Sequence, residues 1–128
     1  TNGFFPDVLA ECVSIVDYVA MDIKTSLEKY SQLGAKDTVE FMRSVELIKS
    51  CKVPYEFRIT LVPGIVNAED LLSIGEIVKG APTLALQQFV PQDTLDKKFD
   101  TLRPYAPEII KDFAETLKKY VQTVVMRI

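Results

Sequence analysis

The feature that most constrains this chain is a fourfold alternation of helical and extended stretches, in which the extended stretches are apolar on one side only. The first helical stretch begins at Pro6-Asp7, where proline suits a first turn and the aspartate favours the helix dipole, and runs through "VLAECVSIV". "YVAMDI" follows as a strand. Thr25 and Glu28 have capping-box spacing and open a short helix ending near Gly34; Asp37 and Glu40 repeat that spacing ahead of a helix with Phe41, Val45, Ile48 and Cys51 on one face. Lys52-Val53-Pro54 breaks that helix, and "YEFRITLV" is the second strand. Pro63-Gly64 turns the chain, Asn67 caps "AEDLLSIGEIVK", and Gly80 stands just past its end. "TLALQQF" is the third strand, and residues 90–105 form a long loop. Pro107 opens a last helix with the stripe Ile109, Ile110, Phe113, Leu117 and Val121, and "TVVMRI" is the fourth strand.

Strands that alternate with helices pair in parallel through right-handed crossovers, so the fold class is α/β with about four parallel strands. A strand covered on both faces is apolar on both. Here Val19, Met21 and Ile23 share one face of the first strand, whereas Tyr18, Ala20, Asp22 and Lys24 share the other. In the second strand Tyr55, Phe57, Ile59 and Leu61 oppose Glu56, Arg58, Thr60 and Val62. One face therefore packs on helices and the other carries charge. An α/β barrel or half-barrel with a polar interior has this property, and in barrels ligand chemistry sits at the C-terminal strand ends. Asp22, Lys24, Arg58 and Thr60 lie there, suited to a zwitterionic or anionic ligand. The plainer reading is an internal ion pair, Asp22 with Lys24 or Glu56 with Arg58. Four strands do not close a barrel, so either the missing half lies upstream or the sheet is open and doubly wound. The abrupt start at "TNG", without an initiator methionine, favours the former.

Composition removes several functions. The chain has 128 residues, enough for one domain or a piece of one, a net charge of −3 and no histidine. An acidic balance without a basic stripe argues against a nucleic-acid partner. The absence of histidine excludes Ser-His-Asp and Cys-His catalysis and His-ligated zinc within these residues. Cys12 and Cys51 have no metal spacing and are expected to be small buried residues on helices of a reduced, cytoplasmic protein. No apolar run is long enough to span a membrane. Tyr18, Tyr55 and Phe57 are expected in the core, and Lys97-Lys98 as a solvated pair.

Four segments in order, "TNGF", "MDIK", "FRITLVPG" and "LQQFVPQDTLD", resemble the radical SAM activating enzymes of glycyl radical enzymes, most closely those serving anaerobic ribonucleoside-triphosphate reductase; the pyruvate formate-lyase type is similar but more distant. Each motif is short, but the four together span the chain. The resemblance implies the C-terminal half of a partial (β/α)6 radical SAM barrel over residues 1–128, with the cluster-binding N-terminal half absent. It implies a parent that binds a 4Fe–4S cluster through CxxxCxxC and S-adenosylmethionine above it, cleaves the cofactor to a 5′-deoxyadenosyl radical, and takes a hydrogen atom from a glycine of a partner enzyme. It implies an electron donor such as flavodoxin or ferredoxin.

Carried over by position, the family's "D-T-N-G" strand end leaves Thr1, Asn2 and Gly3 here. Its "D-L-K" falls on Asp22 and Lys24, the lysine holding the methionine part and the acid belonging to a polar cluster that can include a monovalent cation. The family arginine falls on Arg58 and an adenine-side contact on Thr60. Val90 stands near where some relatives place a histidine against the adenine. The cluster motif and the Gly-Gly-Glu segment are absent, so these residues are expected to hold no metal and no catalytic group of their own, and the piece alone is expected to be inactive. Exposed strand edges suggest a homodimer or marginal solubility. Two readings from other classes stay open: a non-catalytic partner-binding α/β module, and a Schiff-base aldolase using Lys24.

Overall fold

A computed structural model describes residues 1–91 and 102–128. Four helices and four strands alternate in the order α1 (Pro6–Cys12), β1 (Val19–Asp22), α2 (Val39–Ser50), β2 (Tyr55–Leu61), α3 (Leu71–Val78), β3 (Thr83–Gln88), α4 (Pro107–Leu117) and β4 (Thr123–Arg127). A 3-10 helix, Leu27–Leu33, lies between β1 and α2, and a 3-10 turn, Ala68–Asp70, leads into α3.

The strands form one parallel sheet in the order β1-β2-β3-β4. This order bears on the two architectures left open by the sequence. A doubly wound sheet reverses its strand order at a switch point; this sheet does not. Consecutive crossovers of one hand put every helix on the same face. That face carries Met21, Phe57, Ile59, Leu61, Leu84 and Leu86, all buried under the helices. The other face has no helical cover among the described residues. The fold is α/β and compatible with part of a radical SAM barrel.

The edge beyond β1 is partly occupied. The Thr1 amino group donates to the Ala20 carbonyl at 2.9 Å, and the Asp22 N–H donates to the Thr1 carbonyl at 2.8 Å. One residue bonding on either side of Met21 is the parallel ladder pattern, so Thr1 stands where a further parallel strand would end.

Several local expectations are revised. Helix α1 stops at Cys12, short of Val16, and leaves Ile15 exposed. The Thr25–Glu28 capping box does not form, because the Thr25 hydroxyl donates instead to the Ile65 carbonyl at 2.5 Å and the N-cap is Ser26. Gly34 does end that 3-10 helix, at φ +92°, where a Cβ would be strained. Thr38, not Asp37, is the N-cap of α2, and Asp37 accepts the Val39 N–H. Both cysteines are half-buried, at or just after the last residue of a helix. Ile109 is exposed although the rest of its stripe is buried, since it sits at the margin of the helix face. Tyr18 is half exposed on the uncovered sheet face, Tyr55 is half-buried, and only Phe57 is core. Most of the 90–105 loop, with Lys97-Lys98, lies outside the described residues. Among the described residues no helix is long and apolar enough to cross a membrane.

Gly75 shows how closely the helical layer packs. Glycine inside a helix costs about 1 kcal/mol relative to alanine. The compensation is the Tyr120 ring, which lies over the Gly75 Cα: a Cβ there would stand 2.5 Å from Tyr120 Cδ2. Gly75→Ala is expected to lower stability by about 1–2 kcal/mol in urea unfolding, because overpacking exceeds the gain in helix propensity. In a Tyr120→Ala background the same substitution should be neutral or stabilising. A gain in stability with Tyr120 intact would show that the ring yields freely.

Candidate functional site

The uncovered sheet face can be assembled from the register. Asp22 pairs with Arg58, Arg58 with Ala85, and Ala85 with Val125. One step further along, Thr60 pairs with Gln87, and Gln87 with Arg127. Since cross-strand partners in a parallel sheet share a face, these side chains form two adjoining rows, joined by Lys24 just past β1.

Asp22 is the centre of the first row. Arg58 Nε and Nη2 both approach Asp22 Oδ1, at 2.9 and 2.8 Å, and Lys24 Nζ lies 3.7 Å from Oδ2. The arginine is thus committed to one carboxylate oxygen, while the other is only loosely paired. The Lys24 side chain is 53% exposed, so its ammonium can turn to a ligand at little desolvation cost. Thr60 Oγ1 donates to Gln87 Oε1 at 3.4 Å, a long bond that leaves both groups able to meet a hydroxyl or a purine edge. The structure therefore brings together all four residues singled out from the sequence, at neighbouring strand ends. An open cleft of about 470 Å³ adjoins Lys24, walled by Asn2, Phe4, Tyr30 and Leu33.

Of the two ion pairs expected, Asp22–Lys24 is present at 3.7 Å and Glu56–Arg58 is not. Glu56 instead accepts two hydrogen bonds from Arg127 Nη2, at 3.0 and 3.2 Å, across β3. The crossing passes Ala85, a fully buried small residue, and the Glu56 side chain is only 8% exposed. Arg127 and Gln87 are site-facing residues missed from the sequence. Period-two alternation through "TLALQQ" and "TVVMR" puts both on the polar face, and extending to β3 and β4 the face analysis used for the first two strands would have found them.

Behind the strand ends, the loops are tied by a buried carboxylate. Asp70, at the start of α3, accepts from Ser26 Oγ at 2.9 Å, Lys29 Nζ at 2.8 Å and the Asn67 N–H at 2.8 Å. Burial alone would raise its pKa, but the bonds from Lys29, Asn67 and Ser26 outweigh burial and hold it below the ordinary value. Tyr105, before α4, places its hydroxyl 2.7 Å from the Val66 carbonyl and 3.0 Å from Asn67 Oδ1. The loops after β1, β2 and β3 are thereby joined at one end of the sheet.

No family model matches the chain. The chain is 32% identical, over 135 aligned positions covering 99% of its own length, to a protein of Methanocaldococcus jannaschii provisionally named a glycyl-radical enzyme activating enzyme. It spans 56% of that relative's length. The likeness runs over nearly the whole chain and supports the activating-enzyme resemblance read from the strand-end motifs. The name specifies no particular glycyl radical enzyme.

The Asp70 tie has a pH signature. A carboxyl whose folded pKa is depressed contributes stability above its unfolded pKa, about 3.9, and loses it as pH falls through the folded value. Asp70→Asn is expected to cost about 2 kcal/mol at pH 7, since it leaves the Lys29 ammonium only its longer contact with the exposed Glu69 at 3.7 Å. The variant should also lose less stability than wild type as pH falls below about 4. Denaturant titrations at pH 7 and pH 3 measure both; parallel pH dependence in the two proteins would remove Asp70 from the acid limb.

Proposed function

We propose that this chain is the C-terminal part of a radical SAM activating enzyme, and that Asp22, Lys24, Arg58 and Thr60 line its S-adenosylmethionine pocket. The observation that carries the reading is the convergence of these four side chains at the C-terminal ends of β1 and β2, on a sheet face without helical cover. The end-to-end likeness to a named activating enzyme supports it. The Thr1 pairing beside β1 and the partial coverage of the relative support an N-terminal half that completes the sheet.

The residues present suit the cofactor's polar groups. The half-exposed Lys24 ammonium can meet the methionine carboxylate, and Asp22 Oδ2 can accept from the amino group. Arg58 fixes Asp22 while that happens. Thr60 and Gln87 can serve the ribose or the adenine. The cluster is a different matter: two cysteines cannot supply the thiolates of a 4Fe–4S site, and among the described residues no group of three or more potential ligands comes together. Its ligands belong to another part of the parent, and no step is routed through it here. The bound cofactor supplies the one-electron chemistry that takes a hydrogen atom from a glycine of the partner. The segments "MDIK", "SLEKY" and "QDTLD" carry the narrower proposal that the partner is anaerobic ribonucleotide reductase.

In the full-length parent, Lys24→Met is expected to weaken S-adenosylmethionine binding about ten- to a hundredfold, the value of a charge-assisted hydrogen bond. Isothermal titration calorimetry measures it, and unchanged affinity would remove Lys24 from the pocket. Anaerobic incubation with candidate glycyl radical enzymes, followed by electron paramagnetic resonance, tests the partner: a glycyl signal is expected with the ribonucleotide reductase, and one formed only on another enzyme would reassign it. The 128-residue piece, with β4 and much of the polar face uncovered, is expected to self-associate; a monodisperse monomer in light scattering would count against that.

A further inference from the structure

The β1 ladder ends at Ile23, whose N–H donates to the Arg58 carbonyl at 2.7 Å. The next N–H, that of Lys24, takes a side chain as its acceptor: it donates to Tyr30 Oη at 2.8 Å. A backbone donor at a half-buried strand end needs a partner, and here a phenol six residues downstream supplies it. Tyr30 is 2% exposed. Its ring is wedged against Phe41 at 4.7 Å and Phe4 at 5.9 Å between centroids. Burial pushes its hydroxyl up to about 12, so the group stays neutral across the physiological range.

Tyr30 rides on the 3-10 helix Leu27–Leu33, an element of poor intrinsic stability. That helix is held at its start by Ser26 and Lys29 on Asp70, and by the Leu27 N–H on Ser73 Oγ at 3.3 Å. Asp70 and Ser73 belong to the segment that follows β2, the strand carrying Arg58 and Thr60. A continuous route of bonds therefore runs from the segment after β2, through the 3-10 helix and Tyr30, to the backbone of Lys24.

We infer that Tyr30 is a positioning residue for the binding site: its hydroxyl fixes the Lys24 backbone so that the ammonium leaves β1 beside Asp22 and on the ligand side of the sheet. This rests on the proposed role of Lys24 and adds a residue that touches no ligand itself.

Tyr30→Phe keeps the ring and removes only the acceptor, so the aromatic cluster and the fold survive. In the full-length parent, with S-adenosylmethionine as the probe, Tyr30→Phe is expected to weaken binding about three- to tenfold, the value of one hydrogen bond. A general loss of structure would weaken binding in any background. Action through Lys24 would not: Tyr30→Phe added to Lys24→Met should cause no further loss, whereas independent effects would multiply. Wild-type affinity in Tyr30→Phe, or multiplicative losses in the double variant, would overturn the inference while leaving Lys24 in the pocket. Unchanged affinity in Lys24→Met would instead overturn the proposed function, and this inference with it.

Discussion

Parallel strands paired in chain order are the constraint from which the rest of this structure follows. Crossovers of a single hand place every helix on one side of the sheet. The helical side becomes the core, with Met21, Phe57, Ile59, Leu84 and Leu86 at its centre. The other side needs a different solution, and the sequence supplies alternation: Asp22 at the end of β1 and Glu56, Arg58 and Thr60 at every second position of β2, extended by Gln87 and Arg127 on β3 and β4. Because polar side chains are costly to bury unpaired, they appear as pairs, Asp22 with Arg58 and Glu56 with Arg127. The surplus cation, Lys24, stands at the rim.

The polar face divides along the strands. Glu56 is nearly enclosed, and its bonds to the half-exposed Arg127 occupy both charges. Asp22, Lys24, Thr60 and Gln87 keep hydrogen-bonding capacity in reserve: one carboxylate oxygen loosely paired, one ammonium half exposed, one hydroxyl–amide contact at 3.4 Å. Structural pairs are those whose groups are already satisfied, and a ligand site is where they are not. By that measure the C-terminal strand ends are where a ligand would be met, the position proposed above and the one active sites take in α/β barrels.

Much of this was legible in the sequence because it depends on period-two and helical spacing. Strand identities, parallel pairing, the polar face and the meeting of Asp22, Lys24, Arg58 and Thr60 were all read from one-dimensional patterns. What escaped depends on long-range competition for partners. Thr25 looked like a local capping residue, but the Ile65 carbonyl, forty residues away, offered a better acceptor, and Ser26 beside it reaches the similarly distant Asp70. Arg58 was as close to Glu56 in sequence as to any acid, yet pairs with Asp22 on the neighbouring strand. Arg127 reaches Glu56 only because Ala85 is small, a relation among three strands that no single-strand pattern encodes.

That crossing contact has a consequence for the end of β4. Arg127 is the last residue of β4, and its bonds reach over β3 to β2. Loss of Arg127 would take the guanidinium from a nearly enclosed glutamate and leave that carboxylate without its partner across β3. Arg127 thus ties the fourth strand to the second, and changes at the end of β4 are better tolerated where they leave that contact intact.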